Sequence, residues 1–209
     1  FRSYISRVKQ NQTVLTDYIE TKNELHNKLV NEFAGDTLQW QMAIGKDLSM
    51  KFKEPTVLFA SGSADLTPRF CQILNNFLPR YFNILLNDSL RTNIREIRIE
   101  GHTDNVPMPS YDTDSYIANV ILSQKRSLSV LKYFRKMEVF KKYTSEQQRL
   151  LEFWFTANGL SYGKSLDNNG DYTIVTGNDI DKNKSRRVEF RIVTSGDEIL
   201  ENFVNKNKN

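Results

Sequence analysis

The chain has 209 residues, enough for one domain of ordinary size with an appendage, and no run of about 18 apolar residues that would cross a bilayer. Hydrophobic residues make up 39%, with thirteen Phe and nine Tyr, so a real core can be buried. The net charge of +4 comes from 29 basic and 25 acidic residues with mixed signs, not the basic stripe of a nucleic-acid binder, and so argues against a nucleic-acid partner.

Residues 1 to about 34 predict one long helix. Phe1, Val8, Leu15 and Leu29 share one heptad position, and Tyr4, Tyr18 and Leu25 share the other. Asn11 and Lys22 interrupt this seam; they weaken a lone coiled coil but can fix register in a dimer. Gly35 is a natural stop. At a rise of 1.5 Å per residue the helix reaches roughly 50 Å, which makes it either a stalk or a helix folded back on the domain. The start at Phe1 rather than Met leads us to expect a membrane anchor upstream.

From Leu38 the period becomes two. Leu38, Trp40, Met42 and Ile44 share a face, as do Leu48, Met50 and Phe52, which predicts one or two strands broken near Gly45. After Pro55, a short strand Val57–Phe59 is expected, leading into the small-residue loop Ser61–Leu66. Thr67 and Pro68 form an N-cap and first-turn pair. The helix they open turns Phe70, Leu74, Phe77, Leu78, Tyr81 and Leu85 inward, and Pro79 should kink it. In the next strand Ile97 and Ile99 point inward and Arg98 and Glu100 outward, and the strand runs into Gly101-His102-Thr103-Asp104.

A helix follows from about Asn119 to Met137, then a shorter one after Thr144, where Gln147 completes a capping box. Phe153–Gly159 predicts a strand and 165–184 a polar loop. Val188, Phe190 and Ile192 form the inner face of a last strand, before a short helix from Asp197. Alternating strands and helices predict an α+β fold: a β/α/β/α/β-β two-layer sandwich with helices on one face of a mixed sheet, preceded by the long helix. The expected divisions are a helical stalk over 1–35, the domain over 36–196 and a tail over 197–209.

Asp104 lies just past a strand end, and Arg126 lies in the first turns of the next helix. A strand–loop–helix unit returns the helix beside the strand, so the two can flank one cleft. A carboxylate and a guanidinium fork suit an amino-acid zwitterion, one taking the ammonium and the other the carboxylate. By themselves, an Asp and an Arg at this spacing also fit two surface residues or an internal salt bridge. Cys71, beside Phe70, Ile73 and Leu74, is expected to be a buried, inert thiol, and a single cysteine excludes an internal disulfide. His26 and His102 are far apart in sequence, which argues against both a zinc site rich in N and S ligands and a catalytic set with a nucleophile. No metal, cofactor or catalytic residue is assigned.

Four segments carry a resemblance. Phe59-Ala-Ser-Gly-Ser-Ala-Asp-Leu66, Gly101-His-Thr-Asp104, Asn119-Val-Ile-Leu-Ser-Gln-Lys-Arg126 and Ser185-Arg-Arg-Val-Glu189 resemble, in order, the motifs of the OmpA/MotB peptidoglycan-binding family. The resemblance implies that Asp104 and Arg126 hold the amine and carboxylate of diaminopimelate in the stem peptide. Thr103 and Asn119 would shape the cleft, Arg187 would join it, and His102 would be a structural loop residue. The chain departs from the family in its long loop Asn105–Ala118 and in Lys184-Ser185 where the closing motif begins with Asn.

Pro107 after the GHTD motif is similar to MotB-like motor subunits. The short linker, the 165–184 loop and the ending SRRVEFRI are similar to the ZorB branch of Zorya anti-phage systems. The resemblance thus implies a periplasmic domain of a single-pass inner-membrane protein that binds peptidoglycan, forms a homodimer and works with a MotA-like (ZorA-like) membrane subunit. A flagellar stator subunit or a general envelope anchor is the alternative within the family. Outside the family, Asp112 and Asp114 could serve a wall hydrolase as acid and base, though no apolar pocket is evident to raise a pKa. A purely structural dimerisation domain is the remaining alternative.

Overall fold

The computed structural model describes residues 2–53, 55–60, 62–107 and 114–197, with side chains from residue 12 onward apart from Pro55 and Thr56. The chain begins with α1 (Arg2–Phe33) and a 3-10 turn, Ala34–Asp36. Strands β1 (Met42–Ile44) and β2 (Ser49–Phe52), the single turn α2 (Pro55–Leu58), α3 (Pro68–Leu85) and the single turn α4 (Asp88–Arg91) follow. Next come β3 (Ile94–His102), α5 (Ser115–Lys136), α6 (Glu138–Lys142), α7 (Ser145–Trp154) and β4 (Phe155–Gly159). Two single turns, α8 (Thr173–Thr176) and α9 (Lys182–Ser185), precede β5 (Arg187–Thr194).

The five strands form one mixed sheet in the order β1-β2-β5-β3-β4, parallel only between β3 and β4. The predicted two-layer sandwich is therefore the observed one. Period-two alternation settles which face meets the helices. Ile97, Ile99, Val188, Phe190 and Ile192 are buried with Phe77, Tyr81 and Phe82 of α3 and Phe134 of α5. Phe77 lies at the centre, its ring 5.0 Å from Phe52, 5.2 Å from Phe190 and 4.9 Å from Tyr81. Such edge-on and offset aromatic pairs add about 0.5–1.5 kcal/mol each beyond area burial.

The helix starts follow local chemistry. Thr67 Oγ1 accepts the Phe70 amide at 3.0 Å with Pro68 in the first turn, and Thr144 and Gln147 form the full capping box. The helix α3 continues through Pro79 to Leu85.

Several expectations change. The first strand begins at Met42, because Leu38 lies in a turn and is 91% exposed. Val57–Phe59 is no strand: 55–58 make one helical turn, and Phe59 keeps a single bridge to Leu66. Asp114 starts α5 earlier than expected by accepting the amides of Tyr116 and Ile117. Phe153 belongs to α7 and is exposed. Cys71 is half-buried rather than enclosed. The short helix expected beyond Asp197 lies outside the described residues.

The predicted stalk shares the domain's core. Leu25, Leu29 and Phe33 are fully buried in it, while Leu15 and Ile19 stay exposed. Asp197 Oδ1 accepts from Tyr18 Oη at 2.7 Å and pairs with Lys22 at 3.1 Å, fastening the middle of α1 to the far end of the chain.

Two glycines set how closely α5 lies on the sheet. A Cβ on Gly101 would stand 2.3 Å from the Ser123 carbonyl oxygen, and one on Gly159 2.4 Å from the Gln124 amide nitrogen. Backbone cannot yield as a side-chain tip can, so Gly101→Ala should cost about 1–3 kcal/mol or more through overpacking. A urea melt checks this; an unchanged midpoint would show that the helix can lift without penalty.

Candidate functional site

The candidate site lies where β3 ends and α5 begins. Asp104 follows β3 by two residues, and one of its oxygens accepts the Val106 amide at 3.1 Å, which turns the chain out of the sheet. Asn119 donates to the carbonyls of Val106 at 3.3 Å and Ser115 at 3.0 Å, tying that loop to the first turns of α5. Ser161, in a left-handed conformation (φ 51°) just past β4, accepts the Thr103 amide at 2.9 Å. Its own amide donates to Ser123 Oγ at 3.1 Å, so β3, β4 and α5 are locked together directly behind the loop.

Arg126 lies about three turns into α5 and is only 8% exposed. Its Nε donates to the Ser63 carbonyl at 2.9 Å, and its guanidinium lies 5.0 Å over the Phe59 ring. The opening motif thus serves as a seat for this side chain. Burial and neighbouring Arg186 lower its pKa to about 10, with Asp104 opposing, so it is cationic at neutral pH. Asp104 pairs with Arg186 at 3.5 Å. Among the described residues Asp104 Oδ2, Thr103 Oγ1 and Asn119 Oδ1 are buried without a hydrogen-bond partner. Buried polar atoms normally have one; Asp104 Oδ2 has instead only the 3.5 Å ion pair with Arg186.

Asp104 lies within electrostatic reach of Arg126, and Asp104 and Asn119 both hold Val106, with Thr103 the next residue along the chain. Arg187 goes elsewhere. Being odd-numbered on β5, it points to the opposite face of the sheet from Val188 and Phe190, where its Nε donates to Glu189 Oε1 at 2.6 Å. Arg186, one residue earlier, is the cation that reaches Asp104. The closing motif carries two adjacent arginines and Ser185 in place of the family's Asn, so the sequence left the choice between Arg186 and Arg187 to the fold. Ser63, Phe59 and Ser161 were also not singled out; the first two lie within the opening motif, whereas only the fold places Ser161.

Glu100, expected to face water, joins this second cluster. Glu100, His102, Arg187 and Glu189 are all nearly sealed, with Arg191 at their rim. Glu100, His102 and Glu189 have donor atoms within 4.8 Å of one another. Both oxygens of Glu189 are nevertheless held by guanidiniums, Arg187 at 2.6 Å and Arg191 at 2.8 Å, which stand where a cation would.

Burial holds His102 below its usual range against the pull of Glu100 and Glu189, so the fold keeps it neutral. Burial alone would raise Glu100, but His102 and Arg191 hold it at about 2. Below about pH 6.5 the unfolded chain binds a proton that folded His102 refuses, and below about 4.3 the same holds for Glu100. Stability should therefore decline as pH falls from about 6.5 towards 2, and His102→Gln should flatten the upper part of that decline in pH-dependent thermal melts. A wild-type melting temperature that is level from neutral to about pH 5 would contradict the neutral, buried imidazole.

Comparisons with known proteins place the chain in a family and a fold. The OmpA family model matches residues 58–170. Zorya protein ZorB of Escherichia coli is 36% identical over 187 residues, 88% of this chain and 74% of that protein. A MotB-like protein from Desulfovibrio vulgaris shares the fold with a TM-score of 0.57 at 22% identity, over 86% of this chain and 98% of its own. The cell wall anchor of the type VI secretion system from Pseudomonas aeruginosa does so at 0.51, also at 22% identity, over 80% and 97%. Four ordered motifs, the mixed sheet and a relative at this identity leave one conclusion: the chain belongs to the OmpA family, and ZorB is among its relatives.

Proposed function

We propose that this chain is a periplasmic anchor that ties a MotB-like subunit of an ion-driven inner-membrane motor to peptidoglycan, in the setting of Zorya anti-phage defence. The observation that carries the reading is the Asp104 carboxylate, 3.5 Å from Arg186 and near the fork of Arg126, with buried Thr103 Oγ1 and Asn119 Oδ1 left without hydrogen-bond partners. The carboxylate would take the ammonium of diaminopimelate in a stem peptide, and the guanidinium its carboxylate. Thr103, beside Asp104, and Asn119, on α5, would accept remaining N–H groups. Arg187 would support the site only indirectly, through β5.

The division of labour follows. Residues 36–196 grip the wall, and the N-terminal part of α1 leads towards the membrane and a MotA-like (ZorA-like) partner. Two such chains in a homodimer would turn weak single-site binding into firm attachment to one polymer. A binding role is favoured over wall hydrolysis: Asp114, one of the two carboxylates suited to acid–base work, is engaged as the N-cap of α5, and Asp112 lies outside the described residues.

Sedimentation with purified sacculi tests the reading. Wild type should pellet with the wall, and Asp104→Ala and Arg126→Ala should stay largely in the supernatant. Equal retention of all three would reject the site.

A further inference from the structure

Beside Asp104 the cleft opens into a second hollow of about 660 Å³, lined by Asn105, Tyr162, Thr173, Ile174, Asn178 and Lys182 among others. Its outer wall is the 165–184 segment, most of which lies beyond the stretch that the OmpA family model matches. This wall is rigidly built. Asp167, almost fully buried, accepts the amides of Asn169 at 2.9 Å and Asp171 at 3.0 Å, Thr176 Oγ1 at 3.0 Å and Asn178 Nδ2 at 2.7 Å. Asn178 first, and these other donors, hold its carboxyl at about 2, so the bracket stays charged and intact at any ordinary pH. Ser185 Oγ receives the Leu166 amide at 2.9 Å, and Gly177, at φ 70°, ends α8.

The bracket holds two adjacent apolar side chains out in water: Ile174 is 86% exposed and Val175 79%. Isolated exposed aliphatics are ordinary. A pair on a braced turn, at the lip of a polar hollow that adjoins the zwitterion cleft, has the makeup of a binding edge. The chemistry differs between the two hollows. The first offers only full charges, Asp104, Arg126 and Arg186; the second offers two amides, three hydroxyls and one aromatic ring beside the opposite charges of Asp179 and Lys182. Hydroxyls and an acetamide, with a weakly apolar ring face, match that second set. Ligand hollows commonly run from about 300 to 1,000 Å³, so this one exceeds the need of a single amino-acid end.

We propose that this hollow is a second subsite that takes the N-acetylated sugar carrying the stem peptide, so that the chain grips a glycopeptide rather than a peptide end alone. The proposal rests on the peptidoglycan reading above. Tyr162 and Ile174 cover the sugar's apolar face and acetyl methyl, Asn105 and Thr173 bond its hydroxyls, and Lys182 meets a carboxylate of the attached peptide.

Calorimetry with two soluble probes tests it: a diaminopimelate-containing stem peptide, and the same peptide attached to its disaccharide. Wild type should bind the sugar-bearing probe about tenfold more tightly. The double variant Asn105→Ala/Ile174→Ser changes only exposed side chains, so it should fold normally, lose that preference and keep its affinity for the bare peptide. Equal binding of both probes by wild type overturns the subsite and leaves the charged cleft standing, as does a preference that survives the double variant. Binding of neither probe removes both.

Discussion

Arg126→Lys should bind a diaminopimelate-containing stem peptide at least about tenfold more weakly than wild type, and Asp104→Asn should lose as much. Each charged partner lost is worth about 1.5–3 kcal/mol, a factor of roughly 10 to 100. Lysine is the informative replacement for Arg126. It keeps the positive charge near Asp104 and Arg186 but loses the planar fork whose Nε is bound to Ser63 and whose face covers Phe59. Alanine would also leave the Ser63 carbonyl and the Phe59 ring uncovered, mixing a packing defect with the loss of binding. If both side chains hold one zwitterion, the double variant should lose less than the sum of the single losses, because removing either partner already frees the ligand to shift. Isothermal titration with matched melting curves separates binding from folding. Wild-type affinity in either single variant would show that the wall ligand sits elsewhere.

The largest stability effect is expected at Glu189. Its carboxylate is fully buried and serves Arg187 and Arg191 at once, with His102 Nε2 3.8 Å away. Burial alone would raise its pKa, but Arg187 and the further cations Lys51 and Arg191 keep it lowered and the carboxylate charged. Glu189→Ala leaves sealed Arg187 without a counter-ion, and removing one partner of a buried pair commonly costs about 3–5 kcal/mol. Glu189→Gln keeps the shape and loses only the charge, so it divides electrostatics from packing. Chemical denaturation should place both variants well below wild type, with Ala lowest. The cluster joins β3 to β5 directly behind Thr103 and Asp104, so peptide binding should weaken in step with the loss of fold. A drop of under about 1 kcal/mol in either variant would mean that water already screens this face.

Much of the site was legible because its parts are local words. A strand ending in Gly-His-Thr-Asp and a helix carrying Asn-x-x-Leu-Ser-x-x-Arg keep their spacing wherever they fold, so Asp104, Thr103, Asn119 and Arg126 could be named as candidates from the sequence. Arg187 was misplaced because β alternation makes a shift of one residue a change of face. Val57–Phe59 misled in the same way: three apolar residues in a row cannot tell a strand from one turn of helix.

Local sequence determined the inner faces of β3 and β5 and the caps at Thr67 and Thr144, since each is settled by neighbours within a few residues. Tertiary structure decided which way the long helix goes. Its apolar seam suits either a partner helix or the domain, and only the free surface of the core, where Leu25, Leu29 and Phe33 lie, selects between them. It also decided that Glu100 and His102 are sealed rather than solvated, because burial of a charge depends on counter-charges from β5, which lies some ninety residues further along the chain.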